Sequence, residues 1–182
     1  EALILESMLK RLSKRCQKYL PAHILLIENG SLDKSFEICK KLENAASLIA
    51  DRMRQPSVHA FQEKQAGIGY AYHRGLEEAL KLWDGKSEFW MILTAADLTF
   101  GFSDLEEFLA WRKKLGEQTP VGIVIGSKGH KASVLINPLP RRMMSVAYRL
   151  LRRLLLGMKT KDSQGSDFLR ADFVQKILPL ME

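Results

Sequence analysis

Phe89-Trp90-Met91-Ile92-Leu93-Thr94-Ala95-Ala96-Asp97-Leu98-Thr99 is a run of apolar residues that ends abruptly at one carboxylate. A short apolar run bounded by polar residues reads as a fully buried strand. In an open α/β sheet, ligands sit just past the carboxyl ends of the strands. Asp97 is therefore placed where a metal or a polar ligand would be met. Firm metal binding calls for a second carboxylate two residues earlier, and that position is Ala95.

Working outward, the periodicity predicts elements that alternate along the chain. A helix over 2–19 ends at Pro21, and His23 to Ile27 reads as a buried strand. Asp33 is placed to cap a helix over 34–54, and Pro56 breaks that helix before a weak strand over 57–61. A helix over 70–83 precedes the strand at 89–93. Ser103 and Glu106 form a capping box for a helix ending near Gly116. A strand over 121–125, a helix over 140–156 stopped by Gly157, an irregular segment or short strand over 160–168, and a short helix over 172–178 complete the chain. Strands joined by helices imply a mainly parallel sheet with helices on both faces. No linker interrupts the pattern, so a single domain over 1–182 is expected. A helix at the start implies a preceding strand, hence a chain truncated at its N-terminus.

With 182 residues, the chain can bury a real core. It has 46% hydrophobic and 27% charged residues, the balance of a soluble globular protein. No apolar run approaches the roughly 18 residues of a membrane span, and no secretory pattern opens the chain. Cys16 and Cys39 have neither metal spacing nor a disulfide framework, which suits a reducing, cytoplasmic setting. The net charge of +7 favours anionic partners, although a basic protein without such a partner has the same composition.

Several polar segments follow predicted strands. Glu28-Asn29-Gly30-Ser31-Leu32-Asp33 would point polar groups into the crevice at the strand ends, with Glu28 able to accept from ribose or a base edge. It also fits a plain turn in which Asn29 and Gly30 serve backbone angles. Gly67-Ile68-Gly69 is not a Walker motif, but the helix after it presents free amides to an anion; such loops also merely turn chains. Gly126-Ser127-Lys128 opens a basic stretch that continues through His130, Lys131, Arg141 and Arg142, and suits phosphate or a solvated surface. Met143 to Leu156 is amphipathic, with Arg149, Arg152 and Arg153 on its wetter side. Core packing with an exposed basic face fits it, and so does an anionic membrane surface. Asp162-Ser163-Gln164-Gly165-Ser166-Asp167 is a dense polar cluster, suited to an acid, a base or a sugar hydroxyl, or to a surface loop. The four histidines lack zinc spacing, and no Gly-x-Ser-x-Gly elbow is present.

In order, these segments resemble the family 2 glycosyltransferases of the GT-A fold, and within them the enzymes that charge polyprenyl phosphates, such as dolichyl-phosphate glucosyl- and mannosyltransferases. Ile27 to Asp33 resembles the family's Asp-Gly-Ser-x-Asp turn, and Gly67-Ile68-Gly69-Tyr70-Ala71 with Gly75 its Gly-Lys-Gly-x-Ala loop and helix. Thr94 to Thr99 resembles Asp-Ala-Asp-Leu-Ser, and Gly126-Ser127-Lys128 resembles Gly-Ser-Arg. Arg142 with Ser145, one residue closer than in the family's pattern, resembles the Arg-x-x-x-Ser helix, and Asp162-Ser163-Gln164 resembles Asp-Thr-Gln.

The resemblance implies a three-layer α/β/α GT-A domain lacking its first strand. It implies transfer of a sugar, with inversion, from a nucleotide-diphosphate sugar such as UDP-glucose or GDP-mannose to a polyprenyl phosphate or another acceptor, at the cytoplasmic side or peripherally on a membrane. Glu28 would contact the nucleoside, with Gly30, Asp33, Gly67 and Ala96 lining the donor site. Asp97 would hold Mg²⁺ or Mn²⁺ on the diphosphate. Lys128, Arg141 and Arg142 would lie near donor or acceptor phosphate, and Asp162 and Gln164 would face the reaction centre. The chain departs from the pattern at Ala95, at Ile68 in place of Lys, at Lys128 in place of Arg, and at Gly165-Ser166-Asp167. Ala95 supports a rival reading, a relative that binds nucleotide sugar without catalysis. A basic nucleic-acid-binding module is a remote second rival, because aromatic interleaving and a recognition motif are lacking.

Overall fold

The computed structural model describes residues 2–53, 55–94, 102–115, 120–126, 139–158 and 166–181. The chain divides into two compact units, Glu1–Thr99 with Leu169–Glu182, and Phe100–Phe168.

The first unit is built on two parallel strands, β1 (His23–Asn29) and β2 (Ser57–Glu63), in register from His23 opposite Ser57 to Asn29 opposite Glu63. Helix α1 (Ala2–Cys16), continued by a 3₁₀ turn over Gln17–Tyr19, precedes β1, and α2 (Ser35–Met53) crosses from β1 to β2. Helix α3 (Ile68–Leu82) then leads to β3 (Trp90–Leu93). The two-residue alternation of a strand sends side chains to opposite faces, and β1 uses both. Ile24 and Leu26 pack with Leu9 and Leu12 of α1, Leu42 and Ala46 of α2, and Val58. Leu25 turns the other way, into the cluster of Leu76, Ala79, Met91, Leu169, Ala171 and Val174. Ile27 follows it; a Cβ on Gly75 of α3 would come within 3.3 Å of Ile27 Cγ1. Helices thus cover both faces of the strands, as the alternation in the sequence predicts. Helix α6 (Ala171–Ile177) closes this unit, with the Ala171 N–H donating to the Phe89 carbonyl at 2.9 Å.

The second unit holds α4 (Ser103–Leu115), β4 (Ile123–Ile125), α5 (Leu139–Leu156) and the start of β5 (Asp167–Arg170). Phe108 of α4 stacks on Phe168 with ring centroids 4.3 Å apart. The Gly126 N–H donates to the Ser166 carbonyl at 2.8 Å. The boundary between the units falls inside β5, between Phe168 and Leu169, where nothing in the sequence looks like a linker.

Element boundaries differ from expectation where one backbone group decides them. Helix α3 starts at Ile68 rather than Tyr70, because the Gly67 carbonyl accepts from both Tyr70 and Ala71 N–H at 3.0 and 3.2 Å. Helix α4 begins at Ser103, and the Phe102 carbonyl takes the Glu106 N–H at 3.1 Å, so the helix is entered one residue before the expected cap. Strand β5 begins at Asp167, near the end of the segment expected to be irregular or a short strand, and runs on to Arg170. Gly157 does end α5, at φ +64° with its N–H on the Arg153 carbonyl. The larger difference lies in the orientation of α5. Of the arginines expected on its wetter side, Arg149 and Arg153 are exposed and Arg152 is buried, while Met143, Leu150 and Leu154 on the side opposite Arg152 are exposed.

Candidate functional site

The carboxyl end of β1 carries the most developed polar constellation among the described residues. Glu28 is 6% exposed, and its two oxygens are both engaged. Oε1 accepts the Ser31 N–H at 2.6 Å, and Oε2 accepts Gln62 Nε2 at 3.1 Å. Gln62 is reachable because the parallel register sets it beside Glu28 on β2. Burial pushes the Glu28 carboxyl up, but the Ser31 hydroxyl and N–H and the Gln62 amide outweigh it and hold the group below its ordinary value. Glu28 is thus an ionised buttress that fixes the turn, with lone pairs remaining on each oxygen.

Asn29, the last residue of β1, ties this turn to the loop before α3. Its Nδ2 donates to the Gln65 carbonyl at 2.8 Å, and its Oδ1 accepts the Gly67 N–H at 2.8 Å. Asn29 thus acts through its side chain; the residue in the left-handed region is Gly30, at φ +62°. A Cβ there would lie 3.1 Å from the Lys64 carbonyl and 3.4 Å from Ala66 Cα, so the turn and the loop are in close contact. Asp33 is exposed, and its Oδ1 accepts the Ser35 N–H at 2.9 Å where α2 begins. Gly67, at φ +141°, is the N-cap of α3 and supplies no side chain to the first turn. A helix entry of this kind favours anions, through its dipole and its unsatisfied amides. Leu32, Ile68 and Tyr70 are exposed around the same corner.

The second unit has a smaller polar contact. Ser166 Oγ donates to Asp104 Oδ2 at 3.0 Å, and a Cβ on Gly126 would fall 3.0 Å from the same oxygen. Asp104 therefore packs on the residue that opens the Gly126-Ser127-Lys128 segment and on Ser166 of the downstream polar cluster.

Of the residues singled out from sequence, the structure brings Glu28, Gly30 and Gly67 into one corner, with Asp33 at the entry to α2. Ala96, Asp97, Lys128, Asp162 and Gln164 lie outside the described residues, as do the side chains of Arg141 and Arg142 on the first turn of α5. Asn29, Gln62 and Asp104 were not singled out for the roles they take. Their partners are 38, 34 and 62 residues away, beyond the reach of local pattern.

A model of glycosyl transferase family 2 matches residues 1–176. The chain belongs to this family. No curated protein and no solved structure matches it. As a family 2 glycosyltransferase it has the GT-A type of α/β fold, consistent with its helices and its parallel strand pair, and takes a nucleotide-sugar donor. Divalent metals are typical of the family. Among the described residues, however, no three His, Cys, Asp or Glu side chains converge on a common point, and Asp97 is not among them. The carboxylates at the β1 corner instead hold the turn, Glu28 through Ser31 and Gln62 and Asp33 through Ser35. No described helix is long and apolar enough to cross a membrane.

Proposed function

We propose that the chain transfers a hexose from a nucleotide-diphosphate sugar such as UDP-glucose or GDP-mannose to a polyprenyl phosphate, with inversion at the anomeric carbon. The observation that carries the reading is the corner at the end of β1, where Asn29 clamps the Glu28-to-Asp33 turn onto the Gln65–Gly67 loop and the start of α3. Two segments that resemble the family's donor-site motifs are there held together by side-chain hydrogen bonds.

In this reading Glu28 and Gly30 meet the nucleoside, with Asp33 and Ala96 completing that wall, and the start of α3 at Gly67 faces the diphosphate. Lys128, Arg141 and Arg142 neutralise phosphate of donor or acceptor. An acceptor phosphate oxygen attacks the anomeric carbon from the face opposite the leaving group. The bond from that carbon to the diphosphate oxygen breaks, and the nucleoside diphosphate departs. A phosphate acceptor is ionised near neutral pH and needs no general base. A hydroxyl acceptor would need one, and Asp162, beside Gln164, is the candidate. Asp97 is the candidate ligand for Mg²⁺ or Mn²⁺, which would balance charge on the diphosphate.

The test is turnover of labelled nucleotide sugar with polyprenyl phosphate in detergent, alongside calorimetry with and without Mn²⁺. A labelled glycosyl phospholipid is expected. Ala95 favours a second reading, a nucleotide-sugar-binding protein without catalysis. Metal-independent binding with no product would establish that reading and overturn the first.

A further inference from the structure

Helix α5 leaves its apolar side in the open. Its backbone register puts Met143, Leu150 and Leu154 along one line, and these side chains are 67%, 57% and 73% exposed. Half a turn away, Arg152 is 7% exposed, with its guanidinium 5.6 Å from the centre of the Tyr148 ring. It is the one buried residue among Met143 to Met158. The exposed apolar sector is broad, since Met144, Leu151 and Leu155 widen it on one side and Val146 on the other. Monomeric proteins rarely leave so continuous an apolar face in water, and such a face marks an interaction surface.

Charge identifies the partner. The eighteen residues of α5 include five arginines and no acidic residue. Arg142, Arg149 and Arg153 fall in register along one flank of the apolar sector, and Arg149 and Arg153 are exposed. A helix of this length is about 27 Å long, but its arginines forbid a spanning placement. A large apolar face bordered by arginines is the pattern of a helix lying in the plane of a bilayer interface, with its apolar side among the acyl chains and its guanidinium groups among lipid phosphates.

We infer that α5 docks the protein onto an anionic bilayer surface, with Met143, Leu150 and Leu154 inserted and Arg149 and Arg153 on the headgroups. This deepens the transferase reading by naming the surface on which a lipid acceptor would be met, but the docking itself requires neither donor nor acceptor.

The experiment is co-sedimentation of the full chain, without nucleotide, with phosphatidylcholine vesicles and with vesicles that also contain phosphatidylserine. Neither contains polyprenyl phosphate, so loss of transferase activity and loss of docking are separate results. Binding to the anionic vesicles is expected, weakening as salt rises. Leu150→Glu with Leu154→Glu should abolish it. Both side chains are more than half exposed, so the variant should keep the parent's circular dichroism and urea midpoint. Arg149→Gln with Arg153→Gln should weaken binding about 30-fold, at roughly 1 kcal/mol per arginine. Binding that ignores lipid charge and salt would overturn the anionic assignment, and no binding at all would overturn the whole inference. Sedimentation velocity without lipid should give a monomer. A dimer that dissociates on Leu150→Glu with Leu154→Glu would assign the face to a second copy instead.

Discussion

Replacing Asn29 tests whether the corner at the end of β1 is built as its hydrogen bonds imply. Asn29→Ala removes two bonds of 2.8 Å, one to the Gln65 carbonyl and one from the Gly67 N–H. A typical protein hydrogen bond contributes about 1 kcal/mol net, and water can reach both loop groups once the amide is gone. The expected loss is therefore about 1–2 kcal/mol, or a fall in Tm of about 2–8 °C for a chain of this size. Asn29→Asp separates the two bonds. A carboxylate still accepts from Gly67 but cannot donate to Gln65, and it sets an oxygen against the Gln65 carbonyl. Amide exchange at Gly67 should accelerate in the Ala variant and stay slow in the Asp variant. If the clamp holds the donor site in shape, the Ala variant should also bind nucleoside diphosphate about 5- to 30-fold more weakly, the same free energy read as affinity. Unchanged stability with unchanged exchange at Gly67 would refute the clamp. A loss of affinity without either change would instead make Asn29 a direct donor contact.

Three further perturbations follow from the same geometry. The Glu28 carboxyl is held below its ordinary value in the fold: burial raises it, and the bonds from Ser31 and Gln62 lower it further. Its contribution to stability is therefore full above the unfolded-state value and lost as pH falls through the lower folded value. Urea unfolding from about pH 7 to about pH 3 should show this acid limb, shallower in Glu28→Gln. Gly126→Ala puts a methyl group 3.0 Å from Asp104 Oδ2 and 3.4 Å from the Ser166 backbone, and should cost about 1–3 kcal/mol. Asp104→Ala should relieve part of that cost, and a double-mutant cycle by urea unfolding would show non-additivity. Ala95→Asp restores a carboxylate two residues before Asp97. If Asp97 is a metal ligand, Mn²⁺-dependent nucleotide binding should tighten about tenfold or more by calorimetry, because affinity for hard cations rises with the count of charged oxygen ligands. No gain would count against Asp97 in that role.

What could be read from sequence was what depends on near neighbours. The run His23 to Ile27 reveals a strand because β1 buries side chains on both faces, so the run is nearly all apolar. Strand β2 was fainter for a physical reason: it buries Val58 and Ala60, and the intervening His59 and Phe61 do not make a simple apolar–polar alternation. Glu28, Gly30 and Gly67 were legible as turn chemistry at strand and helix ends. The clamp was not, because Asn29 acts on a loop 36 and 38 residues downstream and its residue type also suits a plain turn. The Asp104–Ser166 contact spans 62 residues and follows only from how α4 and β5 pack. The division at Phe168 had no signal either, since it passes through a strand rather than a linker.

Helix α5 shows a limit of a different kind. Its period was correctly read, and so were its end at Gly157 and its basic stripe. Periodicity establishes that a helix has two unlike faces and does not say which of them meets the protein. Usually that gap is harmless, because water is the only other medium and the apolar side turns inward. A protein that works at a bilayer has a third medium available, and then the same sequence satisfies the hydrophobic effect with the apolar side turned outward. Burial of Arg152 opposite an exposed Leu154 is the arrangement that separates these cases. An arginine would not be the buried residue of a leucine-rich helix that was seated by its apolar face.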